Sequence, residues 1–137
     1  MRNAPDPTVI ARLKELTSLS DSEIAQVAKA GQLVNLPESW AVIWEKTPAD
    51  AAYYILEGEV SIRRGGKEIA TLGAGDFLGE VAILTHRLRT AAVVTKTRVK
   101  ALHFTAEHGQ ALAANIPRIG EALRATSASR LEAEKLG

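Results

Sequence analysis

The chain has 137 residues, 46% of them hydrophobic and 24% charged, and its 17 Lys plus Arg against 16 Asp plus Glu leave a formal net charge of +1. That length and composition suit a single domain over residues 1–137 with enough chain to bury a core, and they exclude a bulk basic field for nucleic acid. The absence of cysteine excludes a disulfide framework, thiolate zinc sites and a cysteine nucleophile.

No apolar run approaches the roughly 20 residues of a membrane span. The opening Met1-Arg2-Asn3-Ala4-Pro5-Asp6-Pro7 has no apolar core of a secretory signal. The expected location is cytoplasmic, with no membrane partner. Residues 8–31 read as two helices. Val9, Ile10, Leu13 and Leu16 are spaced for one helical face. Ser20 or Asp21 can cap a second helix, with Glu23 in its first turn, an apolar face of Ile24, Val27 and Ala28, and Gly31 as a stop.

From residue 32 to 104 the apolar period falls to two. Trp40, Val42 and Trp44 share one face of a strand, where core or rim packing is a commoner role than a ligand cage. Tyr53-Tyr54-Ile55-Leu56 and Val60-Ser61-Ile62 are strands separated by Gly58. Gly65-Gly66 reads as a hairpin turn before a return strand from Lys67 to Leu72, and Gly73-Ala74-Gly75-Asp76 as a further turn. Thr90 to Lys96 and Val99 to Phe104 are the last strands. Many short strands with turn signals at close spacing predict a β sandwich or barrel, in particular a β jelly roll. Residues 105–135 return to helical period, beginning at Thr105 and resuming at Pro117. The expected fold is therefore mainly β with flanking helices.

One stretch carries chemistry: Gly75-Asp76-Phe77-Leu78-Gly79-Glu80-Val81-Ala82-Ile83-Leu84, followed by Arg89-Thr90-Ala91. A strand ending at Gly79 and one helical turn over Glu80 to Leu84 would leave unpaired N–H groups and a partial positive charge, a setting for an anion. Gly79 allows close backbone approach. Arg89 can return to the same point with two charge-assisted hydrogen bonds. A carboxylate at Glu80 repels an anion, so accepting a ribose hydroxyl is its natural role, as acidic residues do in dinucleotide folds. The spacing suggests a small ligand with one phosphate charge and a free sugar hydroxyl. A nucleoside triphosphate is not suggested, because there is no G-x-x-x-x-G-K-[ST] and no carboxylate cluster for magnesium.

This G-E-x-A-[IL]-L followed by R-[TS]-A resembles the phosphate-binding cassette of cyclic nucleotide-binding domains, the module of catabolite-activator-type regulators, cAMP-dependent kinase regulatory subunits and cyclic-nucleotide-gated channels. The step from Glu80 to Arg89 looks like the kinase-type cassette, whereas Leu78 before the glycine looks bacterial. Tyr53-Tyr54-Ile55-Leu56-Glu57-Gly58-Glu59-Val60 is similar to the family's Y-x-I-x-x-G-x-V hairpin, and Leu72-Gly73-Ala74-Gly75-Asp76 resembles its L-x-x-G-D turn. The resemblance implies a receptor domain that binds cAMP, with cGMP as the alternative nucleotide, and needs no metal. It implies that the amides of Gly79, Glu80, Val81 and Ala82 and the guanidinium of Arg89 hold the cyclic phosphate, that Glu80 holds the ribose 2′-hydroxyl, and that Thr90 contacts phosphate or base. The last helix would be a lid over the base. Arg130 and Leu131 lie on it within reach of a base, where surface and packing roles compete.

Two other readings remain beside it. One is a nucleotide-free structural or dimerisation module of the same fold, against which Glu80 and Arg89 count. The other is a small cupin-like enzyme, which His86, His103 and His108 oppose because they lack an H-x-H pair of metal ligands. No G-x-S-x-G elbow supports nucleophilic catalysis, so no enzymatic activity is expected. Only Leu136 and Gly137 follow the lid helix, so this chain alone is expected not to read DNA sequence. A homodimer or a downstream effector is the expected protein partner.

Overall fold

Local hydrogen bonds set the boundaries of the N-terminal helices. The computed structural model describes residues 6–43, 51–78, 92–119 and 121. Helix α1 (Pro7–Leu16) starts with proline in its first turn, and the Asp6 side chain caps it by accepting from the Thr8 N–H at 2.8 Å. Helix α2 (Asp21–Ala30) opens on a reciprocal capping box. Ser20 Oγ accepts from the Glu23 N–H at 3.2 Å, and Glu23 Oε1 accepts from the Ser20 N–H at 2.8 Å. That backbone N–H, more than any other group, holds the Glu23 carboxyl below its ordinary range.

Gly31 ends α2 as expected, but not through a left-handed backbone. Its φ is −90°, which any residue adopts. Its lack of a side chain matters instead for packing, because a Cβ there would lie 2.8 Å from Phe104 Cε1.

Among the described residues eight strands follow: β1 (Gln32–Leu36), β2 (Ala41–Ile43), β3 (Ala51–Glu57), β4 (Glu59–Arg64), β5 (Lys67–Gly73), β6 (Phe77–Leu78), β7 (Ala92–Thr95) and β8 (Val99–Thr105). They form two four-stranded antiparallel sheets, ordered β1-β8-β3-β6 and β2-β7-β4-β5. This is the expected β jelly roll with flanking helices. Gly65 and Gly66, at φ 60° and 80°, supply the two positive φ angles that match a tight hairpin to the twist of β4 and β5. Helix α3 (Ala106–Asn115) is capped by Thr105, whose hydroxyl accepts from the His108 N–H at 3.1 Å. Residues 117–119 are helical after Pro117. The remainder of the expected C-terminal helix, from 122 to 135, lies outside the described residues.

Two buried clusters hold these elements. Ile55, Val60, Ile62, Leu78, Val93, Val99 and Ala101 fill the space between the sheets. Val9, Leu13, Ile24, Val27, Tyr54, Leu56, Leu102, Phe104 and Leu112 join the helices to the outer face of β3 and β8. Strand β3 is thus covered on both sides, with Tyr54 and Leu56 toward the helices and Ile55 toward the sandwich. Arg12 ties the layers together, because its Nε donates to the Leu56 carbonyl at 2.8 Å.

Of the core and rim roles the sequence left open for the tryptophans, the structure excludes the core for Trp40. It precedes β2 and is 53% exposed, while Trp44 lies outside the described residues. The turn that carries Trp40 is held by Thr95, itself buried. Thr95 Oγ1 accepts from the Trp40 N–H at 2.7 Å and donates to the Pro37 carbonyl at 2.6 Å.

Candidate functional site

The turn before β6 is built from its own residues. Asp76 Oδ2 accepts from the Gly73 N–H at 2.9 Å, and the Asp76 N–H donates to the Gly73 carbonyl at 3.1 Å. Gly75 sits at φ 92°, a conformation that glycine adopts without steric penalty. Its N–H donates to the Ile55 carbonyl at 2.8 Å, and the Ile55 N–H returns to the Asp76 carbonyl at 2.9 Å. These bonds clamp the turn to β3, so β6 enters in a fixed register with Tyr53 opposite Leu78 and Tyr54 opposite Phe77.

Strand β7 receives the chain on the other sheet. Ala92, Val93, Val94 and Thr95 pair with Arg63, Ile62, Ser61 and Val60 of β4, and β2 pairs on the opposite side. Leu78 and Val93 are both buried in the sandwich core. The segment that carries the phosphate-binding motif therefore leaves one sheet and enters the other, with both ends fixed in one packed core. That core is stiff because interior side chains are close-packed.

Gly79, Glu80, Val81, Ala82, Arg89, Thr90 and Arg130, the residues expected to hold the nucleotide, lie outside the described residues. So does the expected single helical turn over Glu80 to Leu84. What the structure describes is the frame at both ends of the motif. Among the described residues, no group of three or more His, Asp or Glu side chains is placed to hold a metal ion. No helix among them is long and apolar enough to cross a membrane.

Ionisable groups near the frame have structural partners. Glu68 is held below the ordinary carboxylate range, first by a hydrogen bond from Ser61 and then by Lys96, whose Nζ lies 3.4 Å from Glu68 Oε1. Burial, followed by the Asp76 charge, pushes the Tyr54 phenol up to about 12. Sequence reasoning missed the parts played by Thr95 and Arg12. Their partners are 58 and 44 residues away, and no local pattern signals contacts at that separation.

Residues 33–115 match the family model for the cyclic nucleotide-binding domain. A CRP-like cAMP-activated global transcriptional regulator from Mycobacterium tuberculosis is 31% identical over 128 residues, covering 90% of this chain and 57% of the relative. A cAMP-dependent protein kinase regulatory subunit from Aspergillus niger is 36% identical over 87 residues, covering 62% of this chain and 21% of that subunit. The chain therefore spans about half or less of the length of these curated relatives. Among solved structures, a cyclic nucleotide-binding domain from Methylobacillus flagellatus superposes with a TM-score of 0.75 at 20% identity, covering 99% of this chain and 83% of that one. A structure described as Sp-2Cl-cAMPS bound to PKAR CBD2 superposes with a TM-score of 0.78 at 18% identity, covering 94% and 87%. At such identities the superpositions speak for the fold, and they agree with the two-sheet architecture. With its motif framed by that fold and a family model matched over more than half its length, the chain belongs to the cyclic nucleotide-binding domain family.

Proposed function

We propose that this chain is a cytoplasmic receptor domain for a cyclic nucleotide, cAMP in preference to cGMP, that captures its ligand without chemical turnover. The observation that carries the reading is the family match over residues 33–115, which spans the Gly79-Glu80-Val81-Ala82 and Arg89-Thr90 motif. In this reading the backbone amides of Gly79 to Ala82 and the Arg89 guanidinium hold the cyclic phosphate. Glu80 accepts from the ribose 2′-hydroxyl, and Thr90 serves the phosphate. The fixed entry at Leu78 and exit at Ala92 support it, since an anion site gains from donors that are held in place before the ligand arrives. Residues 1–137 act as one domain, and the C-terminal helix with Arg130 closes over the base. Ligand binding would then shift the population of that helix, and a partner protein would read its position.

Calorimetric titration of the purified chain with cAMP and with cGMP tests the proposal. Saturable one-to-one binding of cAMP, tighter than that of cGMP, is the expected result. No binding of either nucleotide to folded protein would reject it in favour of a nucleotide-free structural module.

A further inference from the structure

A cavity lies between the helices and the outer face of the first sheet. Its volume is about 290 Å³, at the small end of ligand sites, which run from roughly 300 to 1,000 Å³. It is about twice the size of a dry apolar cavity of roughly 150 Å³ that takes up benzene. Leu13, Leu16, Phe77, Leu112 and Ile119 make its walls mainly apolar, and the charge of Arg118, which also lines it, is engaged by the Ser18 carbonyl at 2.8 Å. Phe77 faces this cavity, whereas the next residue, Leu78, is packed in the sandwich core.

Two independent features point to an occupant. The first is Tyr54, which is 5% exposed, lines the cavity and packs against Phe77 with ring centroids 4.8 Å apart. Among the described residues no hydrogen bond satisfies its hydroxyl, although a buried hydroxyl ordinarily has a partner. A phenol is protonated at neutral pH and burial only raises its pKa further, so the hydroxyl is available as a donor. The nearby Asp76 charge disfavours an anion at that point and favours a neutral acceptor. The second feature is Gly109, in the interior of α3, where glycine weakens a helix. A Cβ at Gly109 would have Phe104 Cβ at 4.0 Å as its nearest neighbour, so close protein packing does not require the glycine. Its missing side chain instead leaves one wall of the cavity open.

We propose that this cavity is a second ligand site, for a small neutral and mainly apolar molecule carrying one hydrogen-bond acceptor that the Tyr54 hydroxyl recognises. The proposal does not depend on nucleotide binding.

Acetophenone and ethylbenzene test it, because they share size and shape and differ in the carbonyl acceptor. Each is titrated into the isotope-labelled full chain at millimolar concentration while backbone amide resonances are followed. Acetophenone is expected to shift the amides of Leu13, Ala52, Gly75 and Gly109 and to bind about three- to tenfold more tightly than ethylbenzene, the range one neutral hydrogen bond gives. In Tyr54→Phe, which keeps the ring and removes the donor, the two probes should bind equally. Gly109→Leu projects a side chain into the cavity and should abolish both. If that variant does not fold, the Tyr54→Phe comparison decides alone. The same shifts should persist in excess cAMP. Absence of shifts at these amides, an unchanged acetophenone preference in Tyr54→Phe, or loss of the probe when cAMP is added would each overturn the proposal.

Discussion

Gly58 joins the two sheets, and Gly58→Ala should destabilise the domain by more than any turn glycine exposed to solvent. Its φ is 98°, and an L-residue in left-handed backbone costs about 1–2 kcal/mol. The larger effect is steric. An added Cβ would stand 2.3 Å from the Arg98 carbonyl oxygen and 3.0 Å from both Thr97 Oγ1 and Val99 Cγ2. A backbone carbonyl cannot turn aside as a flexible side chain can, so the crossing must shift. The bond from the Glu59 N–H to Thr97 Oγ1, now 3.0 Å, is the nearest casualty, at about 1 kcal/mol. Displacing Val99, which is 2% exposed, adds a packing loss on the order of 1 kcal/mol. The sum is about 3–4 kcal/mol, against a whole-domain stability of roughly 5–15 kcal/mol. The control is Gly66→Ala, where φ is 80° but nothing lies within 4 Å of the added Cβ. That variant should lose only the conformational part, about 1 kcal/mol. Urea unfolding of the three proteins, read from midpoints at a common slope, measures both losses. If Gly58→Ala falls within 1 kcal/mol of Gly66→Ala, given the roughly 1 kcal/mol resolved by such comparisons, the carbonyl clash is not what fixes glycine at this crossing.

Three further outcomes are expected. Arg89→Ala should weaken cAMP binding by about 30- to 1000-fold, the effect of roughly 2–4 kcal/mol from losing a phosphate-pairing charge, while circular dichroism and the unfolding midpoint stay unchanged; binding within threefold of wild type, a difference of about 0.7 kcal/mol, would reject Arg89 as the phosphate ligand. Thr95→Val should lose about 2–3 kcal/mol of stability, because it strips partners from the Trp40 N–H and the Pro37 carbonyl while keeping the shape, and an indole emission shift would report the loosened turn; unaltered thermal stability would show that water replaces both bonds. The Tyr54 phenol, pushed up to about 12 by burial, holds its proton in the folded state where the unfolded chain, at about 10, has lost it. The folded state then binds more protons, so stability contributed by Tyr54 is full below about pH 10 and falls as pH rises toward 12. Tyr54→Phe should remove at most about 3 kcal/mol of that alkaline decline, and identical pH profiles for the two proteins would disprove the burial argument.

The features legible in the sequence are those decided within a few residues. The Ser20–Glu23 capping box, the Thr105 cap, the Gly65-Gly66 hairpin and the Gly73–Asp76 turn each depend on short-range hydrogen bonds or on the φ angles glycine permits. The family resemblance was also legible, because the Gly79–Ala82 and Arg89–Thr90 residues lie close together in one short stretch of sequence. The tertiary structure alone decided the strand order β1-β8-β3-β6 and β2-β7-β4-β5, since partners far apart in sequence are chosen by burial and leave no local mark. It alone showed that Gly31 is small because Phe104 packs over it. It also showed that Trp40 faces solvent on a turn fixed by Thr95. The run Tyr53-Tyr54-Ile55-Leu56 illustrates the reason. Both faces of β3 are covered, one by the facing sheet and one by helices, so polar alternation disappears. The sequence therefore carries no sign of which tyrosine meets the helices, and only packing places Tyr54 there with a buried hydroxyl.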